Sequence, residues 1–483
     1  MDFNRLQAFI ERTWEAKVMP ALLDYIAIPC ESPAFDPDWA ANGHMDRAVE
    51  LLVQWARGML GAVAGATAEV IRLPQRTPLI FIDVPGDIGA PVLVYGHLDK
   101  QPPMTGWAQG RGAWTPVIEG DRLYGRGGAD DGYALFSAIT AILALHAQRL
   151  EHPRCMLLIE ACEESSSADL PHYIEHLAAR IGVPAVVVAL DAGCGSYDRL
   201  WLTTSLRGQV AGCLSVRVLT EGVHSGDAAG MVPSSFRIAR RLLSRVEDAD
   251  SGEIIVPEFH ACIPDERRAQ AAEAAASLGA GLHAFPFPRG MVPVTDDLTE
   301  LALNRSWRPQ LAITGIDGLP AIADAAAVMQ PVTVLKLSLR LPPTVDPDAA
   351  GERVKAILEA SPPYGCEISF TIDFATRGWH APAVAPWLAA SLEDASMQAF
   401  GAPGALIGGG GGIPFLAMLG ERFPQAQFVV TGVLGPRSNA HGPNEFLHLP
   451  TAKRITAVLA LVLRDALARA TTIAVGAPLR VPA

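Results

Sequence analysis

Apolar residues recur at helical spacing from the start of the chain. Phe3, Leu6, Phe9, Ile10, Trp14, Val18 and Leu22 predict a helix over residues 4–26, and a second covers about Met45–Leu60. The period then shortens. Apolar runs bounded by turn residues predict strands near Ala68–Leu73, Leu79–Val84 and Pro91–Tyr95. Gly106–Gly128 reads as a loop rich in Gly and Trp. Beyond it the pattern predicts helix Gly132–Leu150, strand Cys155–Ala161, helix Leu170–Ile181 and strand Ala185–Leu190. Such β-α-β alternation places the chain in the α/β class, with a mixed, mostly parallel sheet flanked by helices.

After Arg207-Gly208 the pattern changes. Val210–Leu219, Pro331–Leu341 and Cys366–Phe374 read as strands, with helices Pro233–Val246 and Asp346–Ser361 between them. This suits a small α+β domain with an antiparallel sheet. A helical insertion near Glu266–Leu278 and the Pro-rich stretch Phe285–Val292 have no clear place in it. From about Ala385 the α/β pattern returns, with helix Trp387–Phe400, a glycine run at Gly408–Gly412, strand Gln427–Thr431 and helix Thr451–Ala470. The simplest organisation is a discontinuous domain, 1–207 plus 385–483, into which residues 208–384 are inserted.

Length supports two domains, since 483 residues exceed one ordinary core. A net charge of −13 argues against a nucleic-acid partner and an anionic membrane surface. The N-terminus lacks a signal-type apolar core, and the longest apolar run, Ala134–Ala147, has the length of a buried helix. The cytoplasm is the expected compartment. Seven cysteines without a Cys-x-x-Cys pair read as reduced thiols.

Candidate chemistry gathers where strands end. Val92–Tyr95 reads as a buried strand that Gly96 terminates, and His97 and Asp99 follow. Ligands in open α/β sheets bind beyond the carboxyl ends of strands, and a carboxylate two residues after a His can hold its ring. Four further segments repeat the arrangement: Asp130-Asp131 at a helix start, Glu163-Glu164 after strand Cys155–Ala161, Asp191 after strand Ala185–Leu190, and His441 after strand Gln427–Thr431. Each has a plain alternative, namely a polar loop, an N-cap, a solvated acidic turn, a turn aspartate or a loop histidine. Five such placements in one chain favour a shared site. Asp130, Glu164 and Asp191 carry −3, and with one hydroxide they balance two divalent ions. Carboxylates and imidazoles suit zinc, manganese or cobalt. A shared aspartate can hold two ions in hydrolytic sites. Glu163 and Glu164 are neighbours whose side chains diverge, so one can ligate while the other serves as general base.

The motifs Gly96-His-Leu-Asp-Lys-Gln-Pro, Leu123-Tyr-Gly-Arg-Gly-Gly-Ala-Asp-Asp, Glu163-Glu164-Ser, Asp191, Leu206-Arg-Gly, His224-Ser-Gly and Asn439-Ala-His-Gly-Pro-Asn-Glu span residues 95–445. In this order they resemble the dinuclear metallopeptidases that include carnosinase, cytosolic non-specific dipeptidase, glutamate carboxypeptidase, aminoacylase and succinyl-diaminopimelate desuccinylase. The resemblance is nearest to the carnosinase-type dipeptidases. It implies a zinc-exopeptidase-like catalytic domain with an inserted lid that also makes a homodimer. It implies two divalent ions per subunit, zinc first, with manganese or cobalt as alternatives. His97 and Asp191 would hold one ion, Glu164 and His441 the other, and Asp130 would bridge them. Asp99 would orient His97, and Glu163 would be the base. The Asp130–Asp131 peptide is expected to be cis. His224 would reach a substrate oxygen from the partner chain, and Arg340 and His380 would hold the substrate's terminal carboxylate.

Three positions depart from the family pattern. Asp130-Asp131-Gly132-Tyr133 lacks the usual lysine, Ala312 stands where relatives often have asparagine, and Gly412 stands where carnosinase-type enzymes have serine or threonine near the substrate. Gly408–Gly412 could instead offer backbone N–H groups to an anion. The expected activity is metal-dependent hydrolysis of a dipeptide or short peptide with a free carboxylate. Removal of an acyl group from an N-acyl amino acid is the alternative, and a metal-free binding protein on this fold is the rival of another class.

Overall fold

A computed structural model describes residues 1–86 and 89–476. The chain divides into two compact units. One comprises Met1–Thr203, Ala381–Ile407 and Met418–Ala483, and the other Thr204–His380 and Gly408–Ala417.

The first unit is built on a six-stranded sheet in the order Thr67–Ile71, Leu79–Val84, Cys155–Glu160, Val92–His97, Val186–Ala189, Gln427–Val430. The first two pairings are antiparallel and the remaining three parallel. Val92–His97, Cys155–Glu160 and Val186–Ala189 are buried along their whole length. Covering on both faces explains why these strands read as continuous apolar runs without alternation. The core helix Tyr133–Ala147 is equally apolar on every side. Its polar Ser137 is bonded to Thr456 Oγ1, which also receives Trp14 Nε1. Gly128–Ala147 has the length and apolarity of a membrane span, but lies almost wholly inside the protein.

The N-terminal helix is not uniform as the spacing predicts. Phe3–Thr13 and Met19–Ile26 are joined by a wider π turn at Trp14–Val18. Pro20 lacks an N–H and crowds the preceding turn, and the extra residue relieves both. Leu170–Ile181 likewise divides into Leu170–His176 and Ala178–Ile181.

The second unit holds an antiparallel sheet in the order Gln310–Asp317, Val332–Leu341, Gly208–Arg217, Glu367–Thr376. Alternate residues of Val332–Leu341 are buried, and Leu335, Leu337, Leu339 and Leu341 pack with Ile238, Leu242, Val354 and Leu358 from helices Ser235–Leu243 and Pro347–Glu359. Arg340 therefore lies on the sheet's other face. The insertion forms helices Asp265–Leu278 and Leu298–Ser306, which share a small core of Ala271, Ala275, Leu303 and Trp307. His380 pairs with Ser205 in a short ladder. The glycine run is not all loop, because its first two residues close strand Ala405–Gly409.

Candidate metal centre

Register assembles the site. His97 lies opposite Glu160, and Tyr95 opposite Ala189, in parallel ladders. The carboxyl ends of three neighbouring strands therefore meet at one edge. There His97 closes its strand, Glu163–Ser165 forms a tight turn after the second, and Asp191 follows the third. Asp130 comes from the turn that opens helix Tyr133–Ala147, and the Asp130–Asp131 peptide is cis. Gly96 lets this turn approach, since a Cβ there would stand 2.8 Å from both Asp131 Oδ2 and Ala134 Cβ.

Asp130 occupies the centre. Its Oδ1 is 3.3 Å from His97 Nε2, and its Oδ2 is 3.0 Å from His441 Nε2. Asp191 Oδ1 lies 3.8 Å from His97 Nε2, and Glu164 Oε2 lies 3.5 Å from His441 Nε2. Two donor sets follow, His97 with Asp130 and Asp191, and His441 with Asp130 and Glu164, each within 4.8 Å. Glu163 and Glu164 also approach His97.

The electrostatics are those of a site short of positive charge. Burial, with Asp191 next, pushes the Glu163 carboxyl well up. Burial and Asp130 push Glu164 up to about 8, and burial raises Asp191 to about 6. The imidazoles respond in the opposite sense. Burial disfavours their charged forms, yet Asp130 and its neighbours outweigh it, so His97 is raised well above its usual value and His441 to about 9. Asp130 resists burial through the two imidazoles and is held below the carboxylate range. Buried carboxylates that drive two imidazoles to keep protons form a donor set that fits divalent cations.

Asp99 meets both the His97 ring and the Glu163–Glu164 turn. Its carboxylate stands 3.6 Å from His97 Nδ1, whose hydrogen-bond partner is the Asp99 backbone carbonyl at 3.0 Å. The two carboxylate oxygens accept the N–H groups of Glu163 and Glu164 at 3.1 and 3.0 Å. Gln101 Nε2 donates to Glu164 Oε2 at 2.6 Å.

Three supporting residues escape a reading of the sequence. Arg126 and Glu445 form a buried ion pair. Glu445 also accepts from Gly127 N, and Arg126 donates to the Gly442 and Pro102 carbonyls. This ties the His441 loop to the Asp130 turn. Lys100 is fully buried and donates to the carbonyls of Tyr25 and Ile28 at 2.8 Å each. All three lie inside quoted motifs, but a partner 319 residues away, as for Arg126 and Glu445, leaves no local signal.

The remaining candidates belong to the second unit. His224 is exposed at the end of the short strand Val223–His224, 3.5 Å from Asp227. Arg340 is half-buried between Gln209 and Gln310 of the flanking strands. His380 Nε2 accepts from Arg267 Nε at 3.1 Å, and Trp307 meets its ring edge-on. Gly412 lies against the Arg207 carbonyl.

The model of peptidase family M20/M25/M40 matches residues 93–465. The cysteinylglycine-S-conjugate dipeptidase of Corynebacterium striatum is 25% identical over 370 residues, 73% of this chain and 76% of that protein. Human carnosine dipeptidase 1 superposes with a TM-score of 0.74 at 21% identity, covering 96% of this chain and 99% of the other. The dipeptidase Dug1p of Saccharomyces cerevisiae gives 0.76 at 20% identity, with 97% and 99% covered. The matched span contains every residue of the two donor sets, and the chain belongs to peptidase family M20/M25/M40 as a metallopeptidase-type hydrolase.

Proposed function

We propose that the chain is a dinuclear dipeptidase that hydrolyses a dipeptide with a free C-terminal carboxylate. The observation that carries this is Asp130, whose two oxygens each face a different imidazole. His97, Asp130 and Asp191 would hold one ion, and His441, Asp130 and Glu164 the other. Two divalent ions, zinc first and manganese or cobalt otherwise, would polarise the scissile carbonyl and acidify the attacking water. Glu163 does the proton work. Burial and Asp191 raise its proton affinity, which suits a base that takes a proton from water and returns it to the leaving amine. Asp99 holds the Glu163–Glu164 turn through its backbone, so the base and its ligand neighbour keep fixed places.

Arg340 and His380 are proposed to hold the substrate carboxylate, with Gly412 beside them and His224 reaching an oxygen from a second copy. A homodimer through the 208–384 insertion is part of the proposal. So is the cytoplasm, where buried thiols such as Cys30 and Cys155 stay reduced. The names of relatives, cysteinylglycine-S-conjugate dipeptidase and Beta-Ala-His dipeptidase, support dipeptides as the substrate class. Metal analysis together with a panel of dipeptides against N-acetyl and N-succinyl amino acids tests the proposal. Up to two equivalents of metal and selective dipeptide cleavage are expected. Faster release of acetate or succinate would move the chain to the amidohydrolases.

A further inference from the structure

Arg207, at the end of strand Trp201–Leu206, donates from Nε to the Gly410 carbonyl at 3.2 Å and from Nη1 to the carbonyls of Asn304 and Arg308 at 3.1 and 3.4 Å. Carbonyls fix this guanidinium without cancelling its charge. A Cβ on Gly410 would lie 3.4 Å from Arg207 Nη2 and 3.3 Å from Arg305 Cγ, so two arginines border one bare stretch of backbone. Arg340 stands opposite Gln209, two residues beyond Arg207, and is the third arginine of the group. Burial lowers Arg207 to about 10, and the positive charges of Arg340 and Arg305 push the same way. Burial also lowers Arg305 and Arg340. Among the described residues, none of the three meets a carboxylate, and the cross-strand neighbours of Arg340 are the neutral amides Gln209 and Gln310.

A second observation points to the same place. Ser205, on strand Trp201–Leu206 two residues before Arg207, is wholly buried, and among the described residues its hydroxyl has no hydrogen-bond partner. It lies 2.9 Å from where a Cβ on Gly408 would stand. Gly408 and Gly410 are spaced by two, as are Ser205 and Arg207, so glycine backbone meets first the Ser205 hydroxyl and then the Arg207 guanidinium. Uncompensated guanidiniums crowd one another until anions arrive, and planar forks match carboxylates in pairs. One terminal carboxylate leaves this cluster short of negative charge.

We infer that Arg207, Arg305 and Arg340 form a site for two anionic groups, so that the substrate is a dipeptide whose C-terminal residue is aspartate or glutamate. The inference rests on the dipeptidase proposal for its substrate, but the anion site can be tested without turnover. On the full-length enzyme, kcat/KM is compared for the near-isosteric pairs Ala-Glu and Ala-Gln, and Ala-Asp and Ala-Asn. The acidic member should be preferred by about tenfold or more, because a site built for a charged group rejects its neutral analogue. Arg305→Met should bring the ratio close to one. Arg305→Lys, which keeps the charge and loses the fork, should fall between and serves if the first variant is unstable. A wild-type ratio near one, or a preference that both variants retain, overturns the inference while leaving the dipeptidase proposal standing. Calorimetry with free glutamate, glutamine and inorganic phosphate supplies the independent arm. Glutamate bound in preference to the other two, with the preference lost in Arg305→Met, supports the site even if no dipeptide is cleaved and the dipeptidase proposal fails. Equal binding of glutamate and glutamine, or tighter binding of phosphate, overturns it.

Discussion

Asp99 fastens two consecutive backbone N–H groups, and the glutamates that follow from them are expected to behave differently. Glu163→Gln should keep the metal content and lower kcat by roughly 10²-fold or more, the effect of removing a general base. Glu164→Gln should instead lower metal content, because its carboxylate belongs to the His441 donor set. Metal analysis beside steady-state kinetics separates the two, and near-normal turnover in Glu163→Gln would send the search for the base elsewhere. Glu160 offers a prediction about stability. It is fully buried, and its Oε1 accepts from Tyr95 and Ser167, while among the described residues Oε2 has no partner. Burial raises its carboxyl to about 8. Between the unfolded carboxylate range and that value, the native state holds a proton that the unfolded chain has released. Stability is therefore lost as pH rises through this window. Glu160→Gln removes the penalty, which has an upper limit of about 5 kcal/mol from the size of the shift. Melting of metal-stripped protein should show the variant gaining over wild type at pH 8.5, with little difference near pH 4.5. An equal gain at both values would mean that packing, not ionisation, sets the effect.

At the scale of elements, buried strands and amphipathic helices were legible because each carries its own period. Strand order was not, since nothing local in Leu79–Val84 says that it runs antiparallel to Cys155–Glu160. Strand Gln310–Asp317 escaped because a bulge between Ile313 and Gly315 breaks its alternation. Ala405–Gly409 escaped because glycine is a poor strand former until neighbours pair with it. Of the candidate site, the residues at strand ends announced themselves by position, whereas the supports did not. Arg126 and Glu445 show the consequence of a support. Removing one partner of a buried ion pair leaves the other uncompensated, at about 3–5 kcal/mol. Arg126→Met or Glu445→Gln should lower the melting temperature and weaken the His441 ion before the His97 ion, because the pair ties the His441 loop. Stepwise metal titration followed by calorimetry checks this. Simultaneous loss of both ions would show that the pair supports the whole turn.

At the scale of the molecule, the second unit leaves apolar side chains open to solvent. Ile313 and Ile316 are half-exposed on the edge strand Gln310–Asp317, and Ile322 beyond it is 97% exposed. A sheet edge with unpaired backbone and apolar side chains is a surface that proteins normally cover. That supports the proposed homodimer through this unit, and the exposed His224 is the residue proposed to serve the neighbouring chain. A two-fold dimer would make both crossings equivalent. The two inactive variants His224→Ala and Glu163→Gln are mixed under conditions that exchange subunits. In a mixed dimer, one site takes Glu163 from the first chain and His224 from the second, and is intact; the other site lacks both. Random exchange makes half of the dimers mixed, each with one good site of two, so about a quarter of wild-type activity should return. Exchange is followed independently with differently tagged chains. If tagged hybrids form and no activity returns, His224 acts within its own chain or takes no part in the reaction. If no hybrids form because each variant elutes as a monomer, the dimer itself is refuted.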